Sequence, residues 1–127
     1  MVNSANLTTK RQALGQVLFC LGCCCGRTGR GKPPVPVERL KQIWKEEKLN
    51  RTVQLTISGC LGPCDVANVA VVSSRLGMEW FGGFGTDADY DLLIEWARKC
   101  HQEARLLPTP ERLGPFRFER YLDTTVA

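Results

Sequence analysis

Histidine is almost missing from these 127 residues: His101 is the only one. That excludes a two-histidine zinc finger, a His-Glu-x-x-His metalloprotease and an iron–sulfur centre with two imidazole ligands. Long apolar runs are missing too. No stretch approaches the ~20 residues that cross a bilayer, so no membrane partner is expected. Nor is there a strong excess of charge of either sign, with 17 basic and 13 acidic residues. Aromatics do not interleave with the arginines, and no nucleic-acid partner is expected.

Cysteine is what the chain does have. There are seven, an odd number, and they cluster: Cys20, Cys23, Cys24 and Cys25, then Cys60 and Cys64, then Cys100 alone. Three adjacent cysteines followed by a distant pair make a poor disulfide framework. They suit thiolates binding metal in a reducing compartment, which sets the expectation of a cytoplasmic protein. Lys10 and Arg11 ahead of Ala13–Cys25 loosely imitate a signal peptide. However, Gln16 interrupts the apolar run, and cleavage there would discard clustered cysteines.

The chain is long enough to bury one core without covalent staples. Gln16–Cys20 reads as a short buried strand. Gly22–Pro36 reads as a loop, because its prolines withhold backbone donors. Val37, Leu40, Ile43 and Trp44 recur at helical spacing, predicting a helix over Val37–Leu49. Val53, Leu55 and Ile57 alternate with Thr52, Gln54 and Thr56, the period of a half-buried strand. Ala67–Ser73 and Met78–Phe81 read as a hairpin. A helix over Asp87–Gln102 should be capped by Thr86 and Asp89 and bury Leu92, Leu93, Trp96, Ala97 and Cys100. The fold expected is α/β: a small mixed four-stranded sheet flanked by helices. Two of its strands should be parallel, because a helix joins them. Residues 1–11 should be disordered and residues 12–102 the domain. Residues 103–127 should be a tail packing on the domain or on a second subunit through Phe116, Phe118 and Tyr121.

Both cysteine groups directly follow predicted strands. If those strands are parallel neighbours, two loops of thiols meet at one end of the sheet. Cys20 and Cys25 are spaced C-x4-C, and Cys60 and Cys64 are C-x3-C. All-thiolate ligation with glycines in the loops suits iron–sulfur chemistry. Gly22, Gly26, Gly59 and Gly62 would let backbone N–H groups point at the sulfurs. Zinc competes for four thiolates, and Cys20-x2-Cys23 offers one zinc knuckle. Gly26-Arg27-Thr28-Gly29-Arg30-Gly31-Lys32 imitates a phosphate loop, but Pro33 stands where Ser or Thr is needed.

The stretch Val17–Val72, with Gly59-Cys60-Leu61-Gly62-Pro63-Cys64 at its centre, resembles the thioredoxin-like [2Fe-2S] ferredoxins. Of these it looks most like the ferredoxin-like proteins beside cobalamin-biosynthesis enzymes. The resemblance implies a thioredoxin-like fold and a one-electron carrier, not an enzyme, with one [2Fe-2S] cluster. It carries over Cys60 and Cys64 as one ligand pair, and Cys20 with Cys25, Cys24 or Cys23 as the other. Cys25 reproduces C-x4-C. Leu21, Leu61 and Val66 would shield the centre. The resemblance also implies a homodimer. The alternatives are a structural zinc-binding interaction module, a cluster-based redox sensor and a thioredoxin-type dithiol oxidoreductase. The last is disfavoured because no helix follows Cys20-Leu21-Gly22-Cys23. Gly26–Arg51 holds eight basic and three acidic residues. Arg27, Arg30 and Lys32 are therefore expected to dock a redox partner with an acidic surface.

Overall fold

The computed structural model describes residues 7–22 and 24–123. Cys23, residues 1–6 and residues 124–127 lie outside them, and the readings made on those positions lie outside with them.

Seven elements carry the fold: β1 (Gly15–Cys20), α1 (Val37–Glu46), β2 (Val53–Ser58), β3 (Ala70–Ser74), β4 (Gly77–Phe81), α2 (Asp87–Glu103) and β5 (Arg117–Phe118). They form an α/β structure with one mixed sheet in the order β2-β1-β3-β4-β5. β1 and β2 are parallel, from Gly15 opposite Val53 to Cys20 opposite Ser58. The remaining pairs are antiparallel. The sheet therefore has five strands where the periodicity predicted four.

Alternation along each strand sends successive side chains to opposite faces. The register makes the two faces unlike. Val17, Phe19, Val53, Ala70, Val72 and Phe81 share a face and pack with Leu40 and Trp44 of α1 and with Leu93, Ile94, Trp96, Ala97 and Cys100 of α2. The helices expected beside the sheet thus both pack on one side of it. On the other side, Leu18, Val71, Trp80 and Phe118 stand in register across four strands. This row joins Cys20, Cys25, Val69, Leu61 and Val66 in a second, smaller cluster. Each large side chain so buried contributes about 1.5–3 kcal/mol.

Helix α1 stops three residues before the predicted end. Lys48 turns left-handed at φ 55°, and Leu49 then swings into the core within a single 3₁₀ turn. Trp44 Nε1 donates to the Val53 carbonyl at 2.8 Å, which ties α1 to β2. Helix α2 opens with the expected capping box between Thr86 and Asp89, worth about 1 kcal/mol. Leu92 is only half-buried, whereas Tyr90 and Ile94, which the sequence reading left out, are buried. His101 Nδ1 lies 2.7 Å from Thr52 Oγ1, so it joins the helix end to the residue just ahead of β2.

The chain after α2 returns to the sheet. Trp96 Nε1 donates to the Leu107 carbonyl at 2.8 Å, Leu113 is fully buried, and Phe116 meets Phe84 edge-on at 5.0 Å. The two residues of β5 then pair with Trp80 and Phe81.

Candidate functional site

Because Cys20 is the last residue of β1 and stands opposite Ser58, the two cysteine loops leave the sheet side by side. A hydrogen bond from the Leu21 amide to the Ser58 carbonyl (3.0 Å) joins their first residues. The first loop doubles back at once, with the Gly22 amide donating to the Cys25 carbonyl at 3.0 Å. Cys25 thereby comes over Cys20, and both thiols are buried. In the second loop Cys60 Sγ and Cys64 Sγ lie 3.3 Å apart. A single 3₁₀ turn over Cys64–Val66 follows.

The sulfurs stand as two pairs. Cys25 and Cys20 form one, and burial together with the Cys20 hydrogen bond pushes the Cys25 thiol up to about 12, while the Val69 amide and Cys60 act on it more weakly. Cys60 and Cys64 form the other. Among the described residues no three or more Cys, His, Asp or Glu side chains converge tightly enough to make a ready metal site. The donor set nonetheless fits a thiolate-bound iron–sulfur group. Four thiols sit on two loops at adjacent strand ends, and Leu61, Val66, Val69 and Trp80 supply apolar cover. Cys24 is half-buried and outside that cluster.

Several expectations need correction. The amides of Gly22 and Gly26 were expected, with those of Gly59 and Gly62, to face sulfur. Gly26 N–H instead donates to Asn68 Oδ1 at 2.9 Å, and Gly22 N–H is used by the Cys25 carbonyl. The Val69 amide does reach a site sulfur, donating to Cys25 Sγ at 3.3 Å. Leu21 was expected to shield the site but is 38% exposed. Leu61 and Val66 do pack against Cys20 and Cys25. Cys100 is a core thiol on α2, raised above its ordinary pKa by burial. In the basic loop Arg27 and Arg30 are exposed and Lys32 is half-buried. Among the described residues none of the three makes a salt bridge, whereas Arg39 is held by Asp91.

Two groups went unnoticed in the sequence. Asn68 is 1% exposed. Besides accepting from Gly26, it donates to the Pro33 carbonyl at 2.8 Å, pinning both ends of the basic loop. Its signal was a lone amide inside a valine-rich stretch. The other is Arg120, whose guanidinium lies 5.5 Å from the Trp80 ring centre and against Gly62 of the second cysteine loop. Nothing in the local sequence marks it.

The class of structure is therefore a five-stranded mixed sheet with helices on one face and the Cys20–Cys25 pair in the cluster on the other. Among solved structures, the chain is similar to the wild-type thioredoxin-like [2Fe-2S] ferredoxin from Aquifex aeolicus. The TM-score is 0.48 and the identity 20%, over 86% of this chain and 100% of that one. A cysteine-to-serine variant of that ferredoxin gives 0.47 and 17%, over 84% and 99%. A further structure of a thioredoxin-like [2Fe-2S] ferredoxin from the same organism gives 0.43 and 22%, over 80% and 90%. No family model and no curated protein matches the chain. No helix among the described residues is long and apolar enough to cross a membrane.

Proposed function

We propose that this protein is a one-electron carrier that holds a single [2Fe-2S] cluster through Cys20, Cys25, Cys60 and Cys64. What supports the reading is the placement of two sulfur pairs on neighbouring loops at the ends of adjacent parallel strands, with Cys20 and Cys25 in the apolar cluster on the sheet face the helices leave free. Cys25 is preferred to Cys24 because Cys25 is buried beside Cys20, in the same apolar cluster.

When bound, such a cluster accepts and releases single electrons. The chain's own residues do the rest. Leu61, Val66, Val69 and Trp80 keep water from the buried pair. The Val69 amide donates to Cys25 sulfur and stabilises it as a thiolate. Because thiols must lose protons to ligate, assembly releases protons, and burial makes the Cys25 thiol harder to ionise than an exposed one. Arg27 and Arg30, on the loop that leaves the first cysteines, would steer an acidic redox partner toward the site.

The test is anaerobic reconstitution with iron and sulfide, followed by the visible spectrum and by iron, sulfide and zinc analysis. Two irons and two sulfides per chain are expected, with loss of colour in Cys60→Ser and Cys64→Ser. A colourless protein holding stoichiometric zinc would identify a zinc module instead. If Cys24→Ser abolishes the cluster and Cys25→Ser does not, the first-loop assignment is wrong.

A further inference from the structure

Among the described residues two buried side-chain polar atoms have no hydrogen-bond partner: Trp80 Nε1 and Arg120 Nε. Both are donors, and both belong to residues stacked on one another. Trp80 is 7% exposed and shares its cluster with Cys20 and Cys25. Arg120 Nη2 would stand 2.6 Å from a Cβ placed on Gly62, so the guanidinium presses on the loop between Cys60 and Cys64. No salt bridge engages Arg120 among the described residues. Arg120 as a whole is half-buried, with its guanidinium also 5.6 Å from the Tyr121 ring centre, but a buried donor atom without an acceptor is costly. What this corner of the protein lacks is an acceptor carrying negative charge.

We infer that Arg120, backed by Trp80, is a charge-compensating positioning residue for the anionic centre held by the cysteine loops. This rests on the proposed cluster reading. Four thiolates around a doubly positive iron–sulfur core make a dianion, and reduction adds a further negative charge. A guanidinium held against the second loop favours both forms over no cluster, and favours the reduced form more. On reduction by dithionite one electron enters the cluster, no bond to the chain forms or breaks, and Arg120 keeps its proton. Glycine at position 62 is part of the device. Its φ of 115° already favours glycine, and a side chain there would displace the guanidinium.

The experiment compares reconstituted wild type, Arg120→Gln and Arg120→Lys by spectroelectrochemical titration, with urea unfolding of each apoprotein. Arg120→Gln should shift the reduced-to-oxidised ratio at fixed potential about tenfold toward oxidised, a potential ~59 mV lower. Arg120→Lys should stay near wild type, and apo Arg120→Gln should be no less stable than apo wild type. An unmoved potential in Arg120→Gln with weakened apoprotein assigns Arg120 to packing on Trp80 and overturns the inference. So does a shift in Arg120→Lys as large as in Arg120→Gln, because shape rather than charge would then be the cause. A wild type that takes up no cluster overturns the functional reading and this one with it. A coloured wild type with an unmoved potential in Arg120→Gln overturns only this one.

Discussion

Replacing Asn68 by alanine tests how the first cysteine loop is held. The side chain accepts from Gly26 N–H at 2.9 Å and donates to the Pro33 carbonyl at 2.8 Å, while the Tyr90 hydroxyl lies at 3.5 Å. Alanine removes both short bonds and strands the Gly26 amide and the Pro33 carbonyl. Each stranded buried group costs about 1–3 kcal/mol. Allowing for partial rehydration at these half-buried positions, the sum is about 3 kcal/mol. For a chain of this length that lowers the melting temperature by about 10 °C. Chemical denaturation gives the free energy, and amide exchange at Gly26 locates it. The Gly26 amide should lose protection more than the amides of β1, and Cys25 should become reactive to a thiol reagent in the apoprotein. A loss under about 1 kcal/mol, with Gly26 protection unchanged, would refute the view that this amide ties the loop down.

Two further perturbations probe the packing around the site. Burial raises the Tyr90 phenol to about 12, so the folded chain holds that proton more tightly than the unfolded chain. Its contribution is complete below pH ~10 and is lost as the pH climbs toward ~12, amounting to about 1.4 kcal/mol between pH 8 and 11. Tyr90→Phe should lose that much less stability over the interval in urea titrations; equal losses in the two proteins would clear the phenol. At Gly82 an added Cβ would stand 2.6 Å from the Val66 carbonyl and 2.9 Å from Val66 Cβ. Gly82→Ala should therefore cost about 1–3 kcal/mol and increase thiol reactivity at Cys64, which the Cys64–Val66 turn carries; an alanine variant that melts like wild type would show that Val66 gives way freely.

Much of the architecture was legible because period and capping are local. The alternation of Val53, Leu55 and Ile57 and the stripe through Leu40, Ile43 and Trp44 each mark one element. Thr86 with Asp89 marks where another begins. The placement of Cys20 and Cys60 after strands was readable for the same reason. What was not readable depends on partners far along the chain. Strand β5 is two residues long and shows no period, and it forms because Trp80 and Phe81 offer an unpaired edge. Periodicity tells which residues are buried but not under which face, so the gathering of both helices on one side was out of reach. The amides of Gly22 and Gly26 were misjudged because composition shows where a loop can bend, while the destination of each N–H depends on acceptors such as Asn68, 42 residues beyond Gly26.

Neighbouring residues of β1 serve opposite layers. Phe19 lies in the helical core and Cys20 in the cysteine cluster. Inserting or deleting one residue within Gln16–Phe19 would exchange their faces, since a strand's side chains repeat every two residues. The thiol would then enter the apolar layer under α2 and a phenyl ring would take its place at the site. Substitutions in this strand can be absorbed by repacking on one side or the other, but a change in its length cannot. The spacing between Gly15 and Cys20 is therefore an invariant of the design, whatever side chains fill it.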